Sequence, residues 1–501
     1  MVCASHILRI LPQYSLCISR TYNVNYTHSN SLRLDAQFFT AAGVLLWGFA
    51  LWAVLTPGVF AHDSMMSLFE GRTGEFVSNQ PPMLGYIWNL LNGIGNGASL
   101  LILISVLGFV FGSYLISRQI FTDLIAAVLV ILTSIFPPIF TQLGIINKET
   151  IACNLILLTF GIFISFPRIK WKFPSAVVGA FLLSLAMLIR YQYIIVISVL
   201  FGSLFLIFAI TDKEKRSRYY WGWLSTCLAC FALFSIALIA LVNFTANVNW
   251  RAPFDLNWRL QLEYDLASQM ADGRAPMRAD LRKQLAVDPL FLASVARAEY
   301  SPSTNITLRH FSTLLKNTPT AKISDVVSRL EASNPNELFY HHARMYATFL
   351  GLGQVCWPIQ KQIPQPKPGS QDADLAAAVH LQSFSQSIAS RTIFQSKWLP
   401  ANTFLFRPIS YLALSALALM ILYSRSPGRR RFPWLAGLPA SAFVYTVLFA
   451  PIVPSCDFRY SYWLLISSVI LATITVFDWV AFALGWRVTA SGTTRDSSNP
   501  Q

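Results

Sequence analysis

The chain has 501 residues, of which 54% are apolar and only 12% are charged, and its mean hydropathy is +0.49. Soluble globular domains have about twice that charged share, so the composition excludes a water-soluble protein and predicts an integral membrane protein. The net charge of +15 could indicate a nucleic-acid partner, but the basic residues cluster in short loops between apolar segments. That distribution favours anionic lipid headgroups and argues against nucleic acid.

Ten apolar windows are long enough, or nearly so, to cross a bilayer as helices of about 20 residues. They lie near 38–60, 98–117, 121–142, 149–166, 174–189, 193–211, 220–243, 403–423, 434–452 and 461–484. We therefore predict an all-α polytopic membrane protein with about ten transmembrane helices. The polar segment before the first window lacks the features of a cleaved signal peptide, so we interpret it as a tail leading into an uncleaved helix.

Lysine and arginine are distributed unevenly between alternate loops. One set of loops carries the basic runs "KEKRSR" and "RRR", whereas the short loops of the other set carry only Arg72, Lys148, Arg190 and Arg459. The positive-inside rule then places both termini in the cytoplasm. We expect a multi-pass protein of the bacterial inner (plasma) membrane.

The windows divide the chain into five segments. These are a cytoplasmic tail (1–37), an N-terminal transmembrane core (38–248) with a first outer loop (61–97), an extracytoplasmic domain (249–402), C-terminal transmembrane helices (403–484) and a second cytoplasmic tail (485–501). In the extracytoplasmic segment, "LRKQLAVDPLFLASVARAEY" has helical apolar spacing, and "PIQKQIPQPKPGSQ" reads as a proline-rich linker. We predict a mostly helical extracytoplasmic domain there.

The first outer loop combines acidic residues with an amphipathic segment. Its sequence is "FAHDSMMSLFEGRTGEFVSNQPPMLGYIWNLL", and Asp63 lies three residues beyond the end of the first window. The segment 80–92 reads as a helix started by proline, with an apolar face formed by Met83, Leu84, Ile87, Leu90 and Leu91. With Tyr86 and Trp88 at headgroup level, this helix should lie in the membrane interface. An acid above such a helix suits a substrate with a polar head and a lipid tail.

Three further outer loops carry polar groups beside the membrane, namely "TQLGIINKET", "LIRYQY" and "PSCDFRYSYW". Because charges at the membrane boundary are costly, we predict that the four loops form one functional site. The alternative is that these are ordinary loop residues, with Arg190 and Arg459 anchoring to headgroups.

These features resemble the GT-C superfamily of polytopic glycosyltransferases, which use polyprenyl- or dolichyl-phosphate sugars and include protein O-mannosyltransferases and lipid A aminoarabinose transferases. The resemblance covers the first transmembrane segment, the acidic first loop, the "PPML" interfacial helix and the multi-span core, roughly the N-terminal half. The late "FRYSYW" is similar to the Arg-Tyr at an outer helix end of many members. Two positions depart from the family pattern: Ser64 follows Asp63 where Asp-Glu is common, and Gln80 replaces the lysine of Lys-Pro-Pro-Leu.

The resemblance implies transfer of a sugar from a polyprenyl-phosphate donor to a glycan, lipid or protein acceptor on the extracytoplasmic face. Asp63 falls at the position of the family's catalytic acid, and we expect it to act as the base. Arg459 is the first candidate for the donor phosphate, because guanidinium makes bidentate contacts, and Arg190 and Tyr460 support it. The other supporting candidates are His62, Glu70, Arg72, Gln80, Lys148 and Glu149.

No cofactor beyond the donor is predicted. The superfamily allows a divalent metal, but no outward Asp-x-Asp stands in this sequence, so we assign no metal ligands.

Two other functions remain open. A Wzy- or ligase-like enzyme joining lipid-linked glycans would use its outer domain, where Arg309, His310, His341 and His342 are candidates. The adjacent histidines also fit a plain helix surface, which we favour. A transporter or flippase would place polar residues at the membrane midplane in broken helices. Here the polar groups crowd one face, which favours an enzyme.

Overall fold

The computed structural model describes residues 28–56, 58–60, 62–73, 81–165, 172–211, 216–246, 252–271, 281, 284–285, 287–301, 308–352, 404–424, 433–449 and 458–483. The described chain is helical apart from two very short strands, which confirms the predicted all-α class. Its elements in order are α1 (His28–Leu55), β1 (Val59–Phe60), α2 (His62–Thr73), α3 (Met83–Asn92), α4 (Gly97–Ser117), α5 (Asp123–Ser134), α6 (Pro137–Leu143), β2 (Ile145–Ile146), α7 (Lys148–Ser165), α8 (Lys172–Ile189), α9 (Ile194–Thr211), α10 (Arg216–Ala246), α11 (Ala252–Ala271), α12 (Pro289–Glu299), α13 (Arg309–Leu314), α14 (Thr320–Ser333), α15 (Pro335–Phe349), α16 (Pro408–Ser424), α17 (Gly437–Phe449) and α18 (Tyr462–Ala483). Short 3-10 turns occupy Tyr191–Tyr193, Phe404–Phe406, Pro433–Ala436 and Phe458–Ser461.

Five helical segments in the described part of the chain are long and apolar enough to cross a membrane: Gln37–Leu55, Gly97–Ser117, Lys148–Ser165, Ser225–Phe244 and Arg459–Ala483. Four shorter apolar helices lie at other predicted windows: Phe173–Ile189, Tyr191–Leu204, Pro408–Ser424 and Trp434–Phe449. Because these four are shorter than a full span, the number of ten crossings stays a prediction.

The predicted window 121–142 is not one straight helix. It divides into α5 and α6, whose axes differ by 79°, so the pair forms either one broken span or a re-entrant turn. Pro137 and Pro138 open α6, and proline disfavours helical geometry in the residue before it, so the sequence stops α5 at this point.

The centre of the apolar bundle is α7, whose side chains are buried along nearly its whole length. It packs against α4 and α8. A Cβ on Gly112 of α4 would lie 2.7 Å from the backbone nitrogen of Leu158, and one on Gly161 would lie 3.0 Å from the Gly112 carbonyl oxygen. Only glycine allows this approach, and small residues at helix crossings are typical of membrane bundles.

The polar segment between α10 and α16 has a separate apolar core. Helices α11 to α15 bury one face each, and the core includes Leu266, Phe311, Ile323 and Met345. The end of α15 joins the main bundle, since the Leu350 carbonyl accepts a hydrogen bond from the Ile409 backbone at 3.1 Å. The predicted proline-rich linker lies outside the described residues.

Candidate functional site

A two-residue parallel strand pair joins the first predicted loop to the second. Val59 pairs with Ile145, and Phe60 pairs with Ile146. Just before this pair, Gly58 has a φ of +92°, and a Cβ there would lie 2.8 Å from Ile102, so only glycine fits the turn. The start of α2 is therefore fixed beside the start of α7.

A second contact between the first two predicted loops is made by Ser64. Its hydroxyl is buried and donates a hydrogen bond to the Ile146 carbonyl. Ser64 is the position where the GT-C resemblance departs from Asp-Glu. In this chain the hydroxyl fastens the first turn of α2 to β2, so the backbone at Asp63, one residue earlier, is positioned by the same contact.

The acidic stretch after β1 forms helix α2, which lies within the predicted first outer loop (61–97). Helix α2 packs closely on α3, because a Cβ on Gly71 would lie 2.5 Å from the Gly85 carbonyl oxygen. Glu70 is buried at this crossing, and its Oε2 lies 3.3 Å from where a Cβ on Gly85 would be. Gly71 and Gly85 permit this close crossing of α2 and α3.

The other first-loop candidates are placed less completely. Helix α2 contains His62, Asp63 and Arg72, but their side chains lie outside the described part of the structure, as does the whole of Gln80.

Helix α3 confirms a helix within the predicted segment 80–92. Trp88 is fully buried in the bundle with Met83 and Leu84, and its position at headgroup level stays a prediction. It packs against the start of α4, where a Cβ on Gly97 would lie 2.8 Å from the indole Cδ1. Leu90, on the opposite side, is 53% exposed, so α3 is packed into one end of the bundle along one face.

Lys148 opens α7 and is buried despite its charge. Its Nζ donates a hydrogen bond to the Pro81 carbonyl at 3.1 Å, immediately before α3. This hydrogen bond positions the diproline segment against the start of α7.

Glu149 and Arg190 form a buried ion pair that joins the second predicted loop to the third. The distance from Arg190 Nη2 to Glu149 Oε1 is 2.8 Å, and the side chains are 12% and 0% exposed. With its amide oxygen turned towards the guanidinium, Gln192 also accepts from Arg190 Nε at 2.6 Å and from Nη2 at 3.2 Å. Such a pair is costly to desolvate and depends on both partners being present.

The fourth predicted loop reaches the same place through Tyr460. The guanidinium carbons of Arg190 and Arg459 lie 5.7 Å and 4.8 Å from the centre of the Tyr460 ring. Arg459 Nη2 also donates to the Tyr460 hydroxyl at 3.1 Å. Since Arg190 is already paired with Glu149, the group of Glu149, Arg190 and Arg459 carries one net positive charge, which can attract an anion.

Beneath these arginines the structure contains groups that the sequence did not indicate. A ladder of rings runs from Tyr193 to Tyr445, Phe449 and Tyr460, with centres 5.3, 5.0 and 5.7 Å apart in turn. One turn below Glu149, the Asn154 amide donates to Ser105 at 2.8 Å and accepts from the Tyr462 hydroxyl at 3.1 Å. Aromatic and amide residues inside apolar windows carry no distinctive sequence signal, so these contacts needed the fold.

The described side chains of the four predicted loops therefore meet at one end of the bundle. Contacts lead from Ser64 through the start of α7 to Glu149, and from there to Arg190, Tyr460 and Arg459. The arrangement can hold a phosphate-like anion between guanidinium groups, beside the positioned start of α2.

The outer-domain candidates divide into two groups. The exposed His310 pairs with Glu299, and the neighbouring Arg309 is also exposed. His341, by contrast, is buried and contacts Asp265, which His342 contacts too. The favoured interpretation of the two adjacent histidines as plain helix surface is therefore wrong for His341, because α11 packs over it.

No model of a known protein family, no curated protein and no solved structure matches the chain.

Proposed function

We propose that this protein is a membrane glycosyltransferase of the GT-C type. It moves a sugar from a polyprenyl-phosphate donor to a glycan, lipid or protein acceptor on the extracytoplasmic face of the bacterial inner membrane. The observation that carries the proposal is the meeting of Arg190 and Arg459 on the Tyr460 ring at one end of an apolar bundle.

The chemistry needs cations at the leaving group. As the bond between the anomeric carbon and the phosphate oxygen breaks, the electron pair stays on the departing polyprenyl phosphate. Guanidinium groups suit this charge because their planar donors make paired hydrogen bonds and keep their proton. Arg190 is held by the fully buried Glu149, which fixes its direction. Arg459, beside it, completes the proposed phosphate contact.

The reaction also needs a base at the acceptor. Asp63 takes the proton of the acceptor hydroxyl while the oxygen forms its bond to the anomeric carbon. The neighbouring Ser64 is hydrogen-bonded to Ile146, so the proposed base is carried on a fixed turn. His62, Glu70 and Arg72 lie on the same helix as Asp63 and are proposed to support it. The other proposed supporting residues, Gln80, Lys148 and Glu149, belong to neighbouring segments of the chain.

The family resemblance allows a divalent metal, which would need a set of ligating side chains at this end of the bundle. Among the side chains that the structure describes, no group of three metal-ligating residues lies at this end of the bundle, and Glu149 is engaged by Arg190. The described residues do not fit a bound metal here, so no step is assigned to one.

One observation favours a second candidate, a transporter or flippase. The 79° break between α5 and α6 resembles the interrupted helices that line transport paths. Against this candidate, the described parts of α5 and α6 carry one charged residue, Asp123, and it pairs with Arg118 at 3.2 Å. A glycan ligase using the outer-domain histidines is the third candidate.

The test is sugar transfer by the full chain in nanodiscs. Polyprenyl-phosphate hexoses and pentoses, radiolabelled in the sugar, are offered with a membrane extract as the source of acceptor. We expect one donor to lose its label to acceptor and release polyprenyl phosphate. Asp63→Asn keeps the side-chain shape but cannot take the proton, so it should reduce turnover at least about a hundredfold.

The control is Arg118→Lys, at the other end of α4, which should transfer at the wild-type rate. Transfer by Asp63→Asn at that rate would refute the base assignment and favour the outer-domain histidines. Movement of intact donor across proteoliposomes without transfer would instead support a flippase.

A further inference from the structure

Two histidines and one carboxylate converge inside the polar domain, away from the proposed donor site. Asp265 Oδ1 on α11 lies 3.2 Å from His341 Nε2 and 3.2 Å from His342 Nε2, both on α15. One ligand atom from each residue can be chosen so that all three lie within 4.8 Å of one another. Asp265 and His341 are buried, and the His342 side chain is 33% exposed.

The hydrogen bonds within this cluster are crowded onto one atom. Gln261 Nε2 donates to the same Asp265 Oδ1 at 2.8 Å, so three nitrogens approach an oxygen that has about two lone-pair directions. A cation between the carboxylate and the imidazoles relieves that crowding, because it replaces two N–H donors with two nitrogen lone pairs.

The spacing matches a first-row divalent ion. Zinc binds imidazole nitrogen at about 2.0–2.1 Å and carboxylate oxygen at about 2.0–2.2 Å, so neighbouring ligand atoms on a tetrahedron lie roughly 3.3–3.5 Å apart. Both His–Asp distances, at 3.2 Å, are close to that value.

A second layer orients His341. Its Nδ1 lies 2.7 Å from the Tyr300 hydroxyl, which can accept an N–H from Nδ1 and so leave Nε2 free to bind metal. The Tyr264 ring packs 5.1 Å from the imidazole, and its hydroxyl donates to the Ser301 carbonyl. The Tyr300 hydroxyl can thus hold His341 in the tautomer that a metal ligand needs.

We propose that Asp265, His341 and His342 form a zinc site that clamps α15 to α11. Three protein ligands leave a fourth position, which is filled by water on the exposed side of His342. The site lies in the polar domain, so it is independent of the proposed glycosyl transfer and of its phosphate contacts.

The test is zinc binding to the full chain in detergent. The protein is stripped with a chelator, incubated with Zn²⁺, desalted and assayed for metal by mass spectrometry, and its affinity is measured against a chromogenic chelator. We expect one Zn²⁺ per chain. His342→Ala removes a ligand that is partly exposed, so it should fold and bind at least about a hundredfold more weakly.

Two further variants decide between a site and surface binding. His310→Ala removes an exposed histidine of the same domain and should leave the affinity unchanged. Tyr300→Phe keeps the ligands but loses the second-layer hydroxyl, and should weaken binding about 10- to 100-fold. The visible spectrum of bound Co²⁺ in wild type reports the geometry directly.

Zinc should also raise the melting temperature of wild type and His310→Ala but not of His342→Ala, because only a native-state ligand stabilises the fold. Absence of stoichiometric zinc in wild type, or equal affinity in His342→Ala and His310→Ala, would overturn the proposal. In that case the cluster is a hydrogen-bonded contact between helices.

Discussion

The buried pair of Glu149 and Arg190 gives the most specific energetic prediction. Arg190 lies 2.8 Å from the fully buried carboxylate of Glu149 and is its charged partner. Replacing Arg190 with glutamine therefore leaves this carboxylate without a cation. Removing one member of a buried pair typically costs about 3–5 kcal/mol of unfolding free energy. Glu149→Gln should cost less, about 1.5–3 kcal/mol, because Arg190 still reaches solvent and the Tyr460 ring.

The double variant tests whether the two side chains act on each other. Glu149→Gln with Arg190→Gln removes both charges, so its cost should fall below the sum of the two single costs, with a coupling of about 1–3 kcal/mol. Unfolding in mixed micelles, followed by tryptophan fluorescence, measures all four proteins.

The matched control for this cycle is Arg118→Gln. Arg118 also pairs with a carboxylate and stacks on a tyrosine, but the side chains of that pair are 33% and 20% exposed. Solvent screening should hold its cost to about 1 kcal/mol or less. The reasoning is refuted if Arg190→Gln costs no more than Arg118→Gln, or if the double variant is as unstable as the sum of the singles.

Three other predictions follow from the site. Gly71→Ala should open the contact of α2 with α3, because its Cβ would lie 2.5 Å from a carbonyl oxygen, and should cost about 1–3 kcal/mol of unfolding free energy in the same micelle assay. The control Gly43→Ala, whose Cβ would meet nothing within 4 Å, should be neutral or stabilising. Ser64→Ala should lose about 1 kcal/mol of stability with the hydrogen bond to β2, and a matching loss of sugar transfer would show that this turn positions the base. In a cysteine-free background, an impermeant thiol reagent should label Phe291→Cys from outside intact cells and Arg430→Cys only after lysis; the reverse pattern would place the site in the cytoplasm.

The sequence predicts the meeting of the outer loops because their charges are unusual. Glu149, Arg190 and Arg459 stand at the ends of apolar windows, where a charge is costly without a partner. The structure brings these residues together through Tyr460. Pattern alone was sufficient to select them but not to pair Arg190 with Glu149, since pairing depends on how α7 and α8 pack.

Other features depend on packing that a linear pattern does not contain. The burial of Trp88 against α4 depends on the space left by Gly97. The histidines at 341 and 342 look like a polar helix surface until Asp265, 76 positions away, is placed against them. Window hydropathy likewise predicts ten spans but cannot show that the segment near Pro137 bends.

The central claim is that the arginine pair binds a lipid phosphate, and direct binding tests it. Native mass spectrometry of the full chain in detergent, titrated with a polyprenyl phosphate and with the uncharged polyprenol, measures the contribution of the phosphate. The account predicts that the phosphate binds more tightly than the alcohol, that Arg459→Lys loses most of this preference with the bidentate contact, and that Arg118→Lys keeps it. Equal binding of both lipids, or an unchanged preference in Arg459→Lys, would contradict the account and reduce Arg459 to a headgroup anchor.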